Sequence, residues 1–118
     1  MAKAEADYRS ATALNRCRKE PVPDVVCYHA QQCAEKYLKA YLLEQRMIPP
    51  RIHDLEDLLN LCALHDSALA THLPIAQALN PFGVQIRYPG MSATVAEAKD
   101  AVKSVCRLRT VMRKALGL

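Results

Sequence analysis

Val26-Cys27-Tyr28-His29-Ala30-Gln31-Gln32-Cys33-Ala34-Glu35-Lys36-Tyr37-Leu38-Lys39-Ala40-Tyr41-Leu42 has the apolar spacing of an α-helix. Val26, Ala30, Cys33, Tyr37, Ala40 and Tyr41 recur every three or four residues as one stripe, and Cys27, Ala34, Leu38 and Leu42 widen it. A stripe that broad must be covered on more than one side, as in the middle of a helical bundle or at a dimer interface. The narrow polar strip left over reads Gln32, Glu35, Lys36, Lys39 and Arg46. Pro21 and Pro23 precede the stretch and Pro49-Pro50 follow it, so the helix is expected from Asp24, as its N-cap, to Arg46.

Outward from this helix the pattern stays helical. Ala2 to Lys19 holds good helix formers with Ala4, Tyr8, Ala11, Leu14 and Cys17 on one face. Asp54 can cap a third helix that buries Leu55, Leu58, Leu59 and Cys62. A shorter helix begins at Asp66 or Ser67 and continues through Leu69, Leu73 and Leu79, with Pro74 bending or restarting it. Asn80 to Ser92 contains Pro81, Gly83, Pro89 and Gly90 and reads as an ordered loop. Thr94 and Glu97 have capping-box spacing, after which Ala98, Ala101, Val102, Val105, Leu108 and Met112 form the buried face of a last helix. No stretch alternates with period two, so the fold class is all-α, an antiparallel up-and-down bundle of four to five helices, with residues 1–118 as a single domain.

Composition narrows the function classes. With 51% hydrophobic and 24% charged residues the chain is not disordered, and it has no apolar run long enough to span a membrane and no secretory signal at its start. Five cysteines without close pairing suit small buried hydrophobes in a reducing cytoplasm better than a disulfide framework or a zinc site. A net charge of +4 does not by itself mark a nucleic-acid binder. Charge is unevenly placed: Asp54 to Leu79 has four acidic residues and no Lys or Arg, whereas Lys99 to Lys114 has six basic residues and one acidic. Two helices packed with complementary faces explain this; the alternative is that Lys99, Lys103, Arg107 and Lys114 track a phosphate backbone.

Several segments carry a family resemblance. Cys27 to Ala40 resembles the second-helix signature of HEPN domains, and Ile52-His53-Asp54-Leu55 resembles the start of that family's next helix. Leu79-Asn80-Pro81-Phe82 and Ile86-Arg87-Tyr88-Pro89-Gly90 resemble its loop before the last helix. The resemblance implies a small prokaryotic helical domain that dimerises. It also implies a partner, a minimal nucleotidyltransferase, in a two-component system of toxin–antitoxin type. Some members of the family are metal-independent ribonucleases; others bind nucleotides or substrate for their partners.

The nuclease branch uses an Arg followed four to six residues later by His near the start of the last helix. There His would activate a ribose 2′-hydroxyl and Arg would stabilise charge on the phosphate. Here Arg87 lies in that region, but no His follows His72. Arg46 and His53, with six residues between, satisfy the spacing in the wrong place, across the Pro49-Pro50 turn. Ribonuclease chemistry by the family's motif is therefore not expected, and no residue is assigned as catalytic.

A binding constellation remains. Glu35 and Lys39 stand four residues apart and can pair on the helix surface. Arg87 is the candidate third partner, for Glu35 or for a phosphate, and Tyr88 offers a flat face or a hydroxyl. With Lys36 and His53 these are the candidate nucleotide- or substrate-binding residues, set against the plainer reading that they only hold the bundle together. His29 reads as a satisfied core or interface histidine. The sequence reading is thus a cytoplasmic, non-catalytic subunit that forms a homodimer and partners a nucleotidyltransferase. It would bind a nucleotide of the ATP or GTP class, with RNA a less favoured ligand, and needs no cofactor or metal. The alternatives are a ribonuclease toxin and a purely structural dimer.

Overall fold

The computed structural model describes residues 2–17, 19–83 and 92–118. Over these residues it is all-helical: α1 (Ala2–Asn15), α2 (Pro23–Glu44), α3 (Leu55–Ala63), α4 (Leu73–Leu79) and α5 (Val95–Ala115). Short 3-10 turns at Ser67–His72 and Asn80–Phe82 flank α4. α2 is the central helix and packs against the other four. Its stripe is buried as the spacing requires, except that Ala40 is only half-buried, and Gln31 and Glu35 go into the interior with the apolar residues. Leu55, Leu58, Leu59 and Cys62 of α3 and Ala98, Ala101, Val105, Leu108 and Met112 of α5 close the same core.

The helix ends show where local chemistry outweighed the simplest reading. α1 stops at Asn15, short of Lys19: the Arg16 and Cys17 N–H groups reach back only three residues, to the Ala13 and Leu14 carbonyls at 3.2 and 3.1 Å, and Glu20 has a left-handed φ of 50°. Asp24 is not the N-cap of α2. Val22 holds that position, since Pro23 has the φ of a first helical residue and no N–H to satisfy. The Asp24 carboxylate instead accepts the Ala93 N–H at 2.7 Å, tying the start of α2 to the residues before α5. α2 ends at Glu44, not Arg46, in a Schellman turn: Arg46 N–H donates to Leu43 O and Met47 N–H to Leu42 O, each at 2.9 Å. Arg46 has a φ of 62°, the left-handed position where glycine is usual. Asp54 caps α3 through the Glu56 and Asp57 N–H groups, and Thr94 with Glu97 forms the capping box of α5. Pro74 sits in the first turn of α4, where it restarts the helix after the 3-10 turn.

The connection after α2 doubles back along it. Gln31 Nε2 donates to the His53 carbonyl at 3.2 Å, and the Cys62 thiol donates to the Leu38 carbonyl at 3.5 Å. α3 therefore advances beside α2 in the same sense, and this return brings His53 to the middle of α2. The expected charge pairing between the acidic Asp54–Leu79 segment and α5 is not what forms. Arg109 and Arg113 of α5 take Glu5 of α1 instead, because α4, the helix of that segment that packs on α5, carries no Asp or Glu. Among the cysteines, Cys27, Cys33 and Cys62 are buried, while Cys17 and Cys106 are exposed, one just past the end of α1 and the other on the side of α5 toward Tyr8.

Candidate functional site

Gln31, Glu35 and Lys39 are four residues apart and share one face of α2, the face that the returning connection covers. Glu35 is only 5% exposed, so its carboxylate needs partners in place of water. It has three. Oε2 accepts from Lys39 Nζ at 3.2 Å, and Oε1 accepts from His53 Nδ1 at 3.0 Å and from Gln31 Nε2 at 3.4 Å. Gln31, fully buried, also receives a hydrogen bond on Oε1 from Gln32 Nε2 at 2.8 Å. The His53 side chain is 74% exposed and that of Lys39 24%, so a buried carboxylate fixes two donor groups that face solvent. With Nδ1 held by Glu35, His53 presents Nε2 outward.

The floor of this cluster is fixed by the start of α3 and the turn after α4. Asn80 Oδ1 accepts the Leu55 N–H at 2.8 Å, and Asn80 Nδ2 donates to Asp54 Oδ1 at 3.1 Å. A Cβ on Gly83 would stand 3.1 Å from Gln31 Nε2, so glycine lets this turn approach the buried amide.

A helix turns about 100° per residue, which separates neighbours on α2. Lys36, grouped with Glu35 and Lys39 in the sequence, faces α1 and pairs with Asp7. His29, one heptad before Lys36, donates from Nδ1 to the other oxygen of Asp7 at 2.7 Å. Asp7 is 8% exposed, and with these two partners it joins α1 to α2. A second buttress lies beside it. Arg109 grips Glu5 through Nε and Nη2 at 2.9 and 2.7 Å, and Arg113 Nη1 adds 2.7 Å to Glu5 and 3.3 Å to the Tyr37 hydroxyl. The Arg109 hydrogen bond holds the Glu5 carboxyl below its ordinary value despite opposing burial. Burial pushes the Cys33 thiol between these systems up to about 12, which makes it inert as a nucleophile.

Glu35, Lys39 and His53 thus come together, Lys36 belongs to a different contact, and Arg87 and Tyr88 lie outside the described residues. Gln31, Asp7, Glu5 and Asn80 escaped the sequence reading. Gln31 had a signal, since it falls four residues before Glu35 beside the apolar stripe. Asp7 and Glu5 had none, because their partners are 22 to 108 residues away. Among the described residues no three His, Cys, Asp or Glu side chains converge to hold a metal, and no helix is long and apolar enough to cross a membrane.

These features define a small α-helical bundle organised around one long central helix with a buried carboxylate in its middle. The sequence model of the HEPN domain matches residues 1–115, and the chain belongs to the HEPN domain family. An archaeal HEPN homologue known from its crystal structure superposes with a TM-score of 0.75 over 96% of this chain and 91% of its own, at 23% identity. That likeness shows the fold. No curated protein matches the chain.

Proposed function

We propose that this HEPN chain, acting as one domain over residues 1–118, is a non-catalytic subunit that dimerises and works with a minimal nucleotidyltransferase in the cytoplasm. Its Glu35–Lys39–His53 cluster would receive a nucleotide or nucleotidyl substrate, with Arg87 and Tyr88 completing the site. The observation that carries this reading is the pairing of a 5% exposed Glu35 with a 74% exposed His53, whose free ring nitrogen is thereby aimed at solvent beside the Lys39 ammonium. Arg87 and Tyr88 follow Gly83 in sequence, and Gly83 lies against Gln31 of the same cluster. A non-catalytic role is supported by the absence of any His after His72, where the nuclease branch of the family carries its histidine.

Thermal unfolding against ATP, GTP, CTP and UTP tests this. A ligand at a hundredfold excess over Kd stabilises the folded state by about 2.7 kcal/mol, which for a chain of this size raises the midpoint by roughly 10 °C. A selective rise that vanishes in His53→Ala and Arg87→Ala is expected. No rise with any nucleotide, together with no complex on co-expression with a nucleotidyltransferase, would sink the proposal.

One observation favours a second reading, a ribonuclease. A carboxylate-bound imidazole with an exposed second nitrogen is also the arrangement of an oriented general base. Cleavage of RNA in metal-free buffer, abolished by His53→Ala, would establish that reading.

A further inference from the structure

A cleft of about 430 Å³ separates α1 from α5, with Tyr8, Asn15 and Arg16 on one side and Lys103, Cys106 and Arg107 on the other. A neighbouring recess shares Asn15 and Arg16 and adds Lys99. No Asp or Glu lines either space. Arg16, Lys99, Lys103 and Arg107 are all exposed, and among the described residues none stands within 4 Å of a carboxylate. The remaining residues of the chain include no Asp or Glu that could neutralise them. Of the acids on α5 itself, Glu97 is engaged in the capping box and Asp100 does not line the cleft. By contrast Arg109 and Arg113, on the same helix, are both paired with Glu5. The fold has therefore sorted the cations of α5 into a neutralised pair facing α1 and an uncompensated row along the cleft.

Lys99, Lys103 and Arg107 repeat every four residues, which places successive charges about 6 Å apart along the helix axis. Like charges held at that spacing raise the local potential and draw in a multiply charged anion. Guanidinium forks match phosphate oxygens two at a time, and the lysines serve as point charges beside them. The cleft volume falls within the roughly 300–1,000 Å³ of small-ligand pockets.

We propose that the α1–α5 cleft is an anion site for a ligand carrying two or three linked phosphates, bound by Arg16, Lys103 and Arg107. This goes beyond the function proposed above and does not depend on it: the cleft opens between α1 and α5, whereas the Glu35 cluster lies where the chain returns to α3.

The test is isothermal titration of the purified chain at low salt with inorganic tripolyphosphate, ATP and sulfate. Tripolyphosphate is expected to bind at least about tenfold more tightly than sulfate, and Lys103→Gln/Arg107→Gln to weaken it about tenfold or more. Lys114→Gln, a cation of α5 outside the cleft, leaves the tripolyphosphate affinity unchanged. Only the ATP binding lost in Lys103→Gln/Arg107→Gln reports on the cleft: equal to that of tripolyphosphate, it means that the phosphate chain alone is recognised; tighter, it means that the nucleoside is held there as well. Should the double variant fail to fold, Arg16→Gln carries the same test from the other side. Equal affinity for tripolyphosphate and sulfate, no loss in the cleft variants, or an equal loss in Lys114→Gln would overturn the proposal.

Discussion

Glu35→Gln is the most informative single change, because it keeps the shape of a buried side chain and removes one acceptor. The carboxylate takes Lys39 on one oxygen and His53 with Gln31 on the other. An amide has a single oxygen, so its NH2 must face either Lys39 Nζ or, on the side shared with His53, Gln31 Nε2, donor against donor. One charge-assisted hydrogen bond is then lost outright, a loss of about 1.5–3 kcal/mol when no water can replace it. Lys39 and His53 both reach solvent and recover part of that through hydration, which leaves about 1–2 kcal/mol. For a chain of this length the unfolding midpoint should fall by about 4–8 °C, read by circular dichroism at constant pH. Glu35→Ala should fall further, by about 2–3 kcal/mol in stability, since it also leaves a cavity and strips Gln31 of one partner. Combining Glu35→Gln with Lys39→Met should be less than additive, because the second change removes a donor already stranded by the first. A midpoint within about 1 °C of the parent for Glu35→Gln would refute the reasoning, as it would mean that the carboxylate carries no such network.

Three further outcomes follow from the geometry. Arg46→Gly should stabilise the chain by about 0.5–1 kcal/mol in urea unfolding, because the strain of a left-handed side chain slightly exceeds the freedom glycine adds to the unfolded state; a loss of stability would argue against the Schellman turn. The Glu5 carboxyl is held low by Arg109, so its contribution is complete above the ordinary carboxylate titration and drains away as pH falls through it to the lowered native value. Glu5→Gln should therefore flatten the acid limb of stability against pH, and an unchanged acid limb would show that Glu5 is not paired. Alkylation of the native protein near pH 8 should label Cys17 and Cys106 while sparing Cys33 and Cys62, whose thiols burial pushes up to about 12; mass spectrometry finding Cys33 or Cys62 modified as fast as Cys106 would contradict this burial.

The all-helical class, the central helix and the capping box were legible in the sequence, because each depends on residues within about one or two turns of each other. The stripe from Val26 to Leu42, the Asp54 cap and the Thr94–Glu97 pair are all of that kind. The Glu35–Lys39 pair was legible for the same reason. Where two local signals competed, as with Asp24 and Pro23 at the start of α2, the sequence named the region and the structure chose the residue. Asp24 was released for a contact with Ala93, 69 residues away.

What only the tertiary structure decided is which polar groups meet across helices. Neighbours on α2 point about 100° apart, so Glu35 and Lys36 went to opposite partners, one to the returning connection and one to α1. The same docking of α1 on α5 gave Arg109 and Arg113 to Glu5 and left Arg16, Lys99, Lys103 and Arg107 without carboxylates around the cleft. A sequence sets the period of each helix face through local backbone geometry. Which face opposes which is set by the packing of whole helices, and the charge pairs are consequences of that packing.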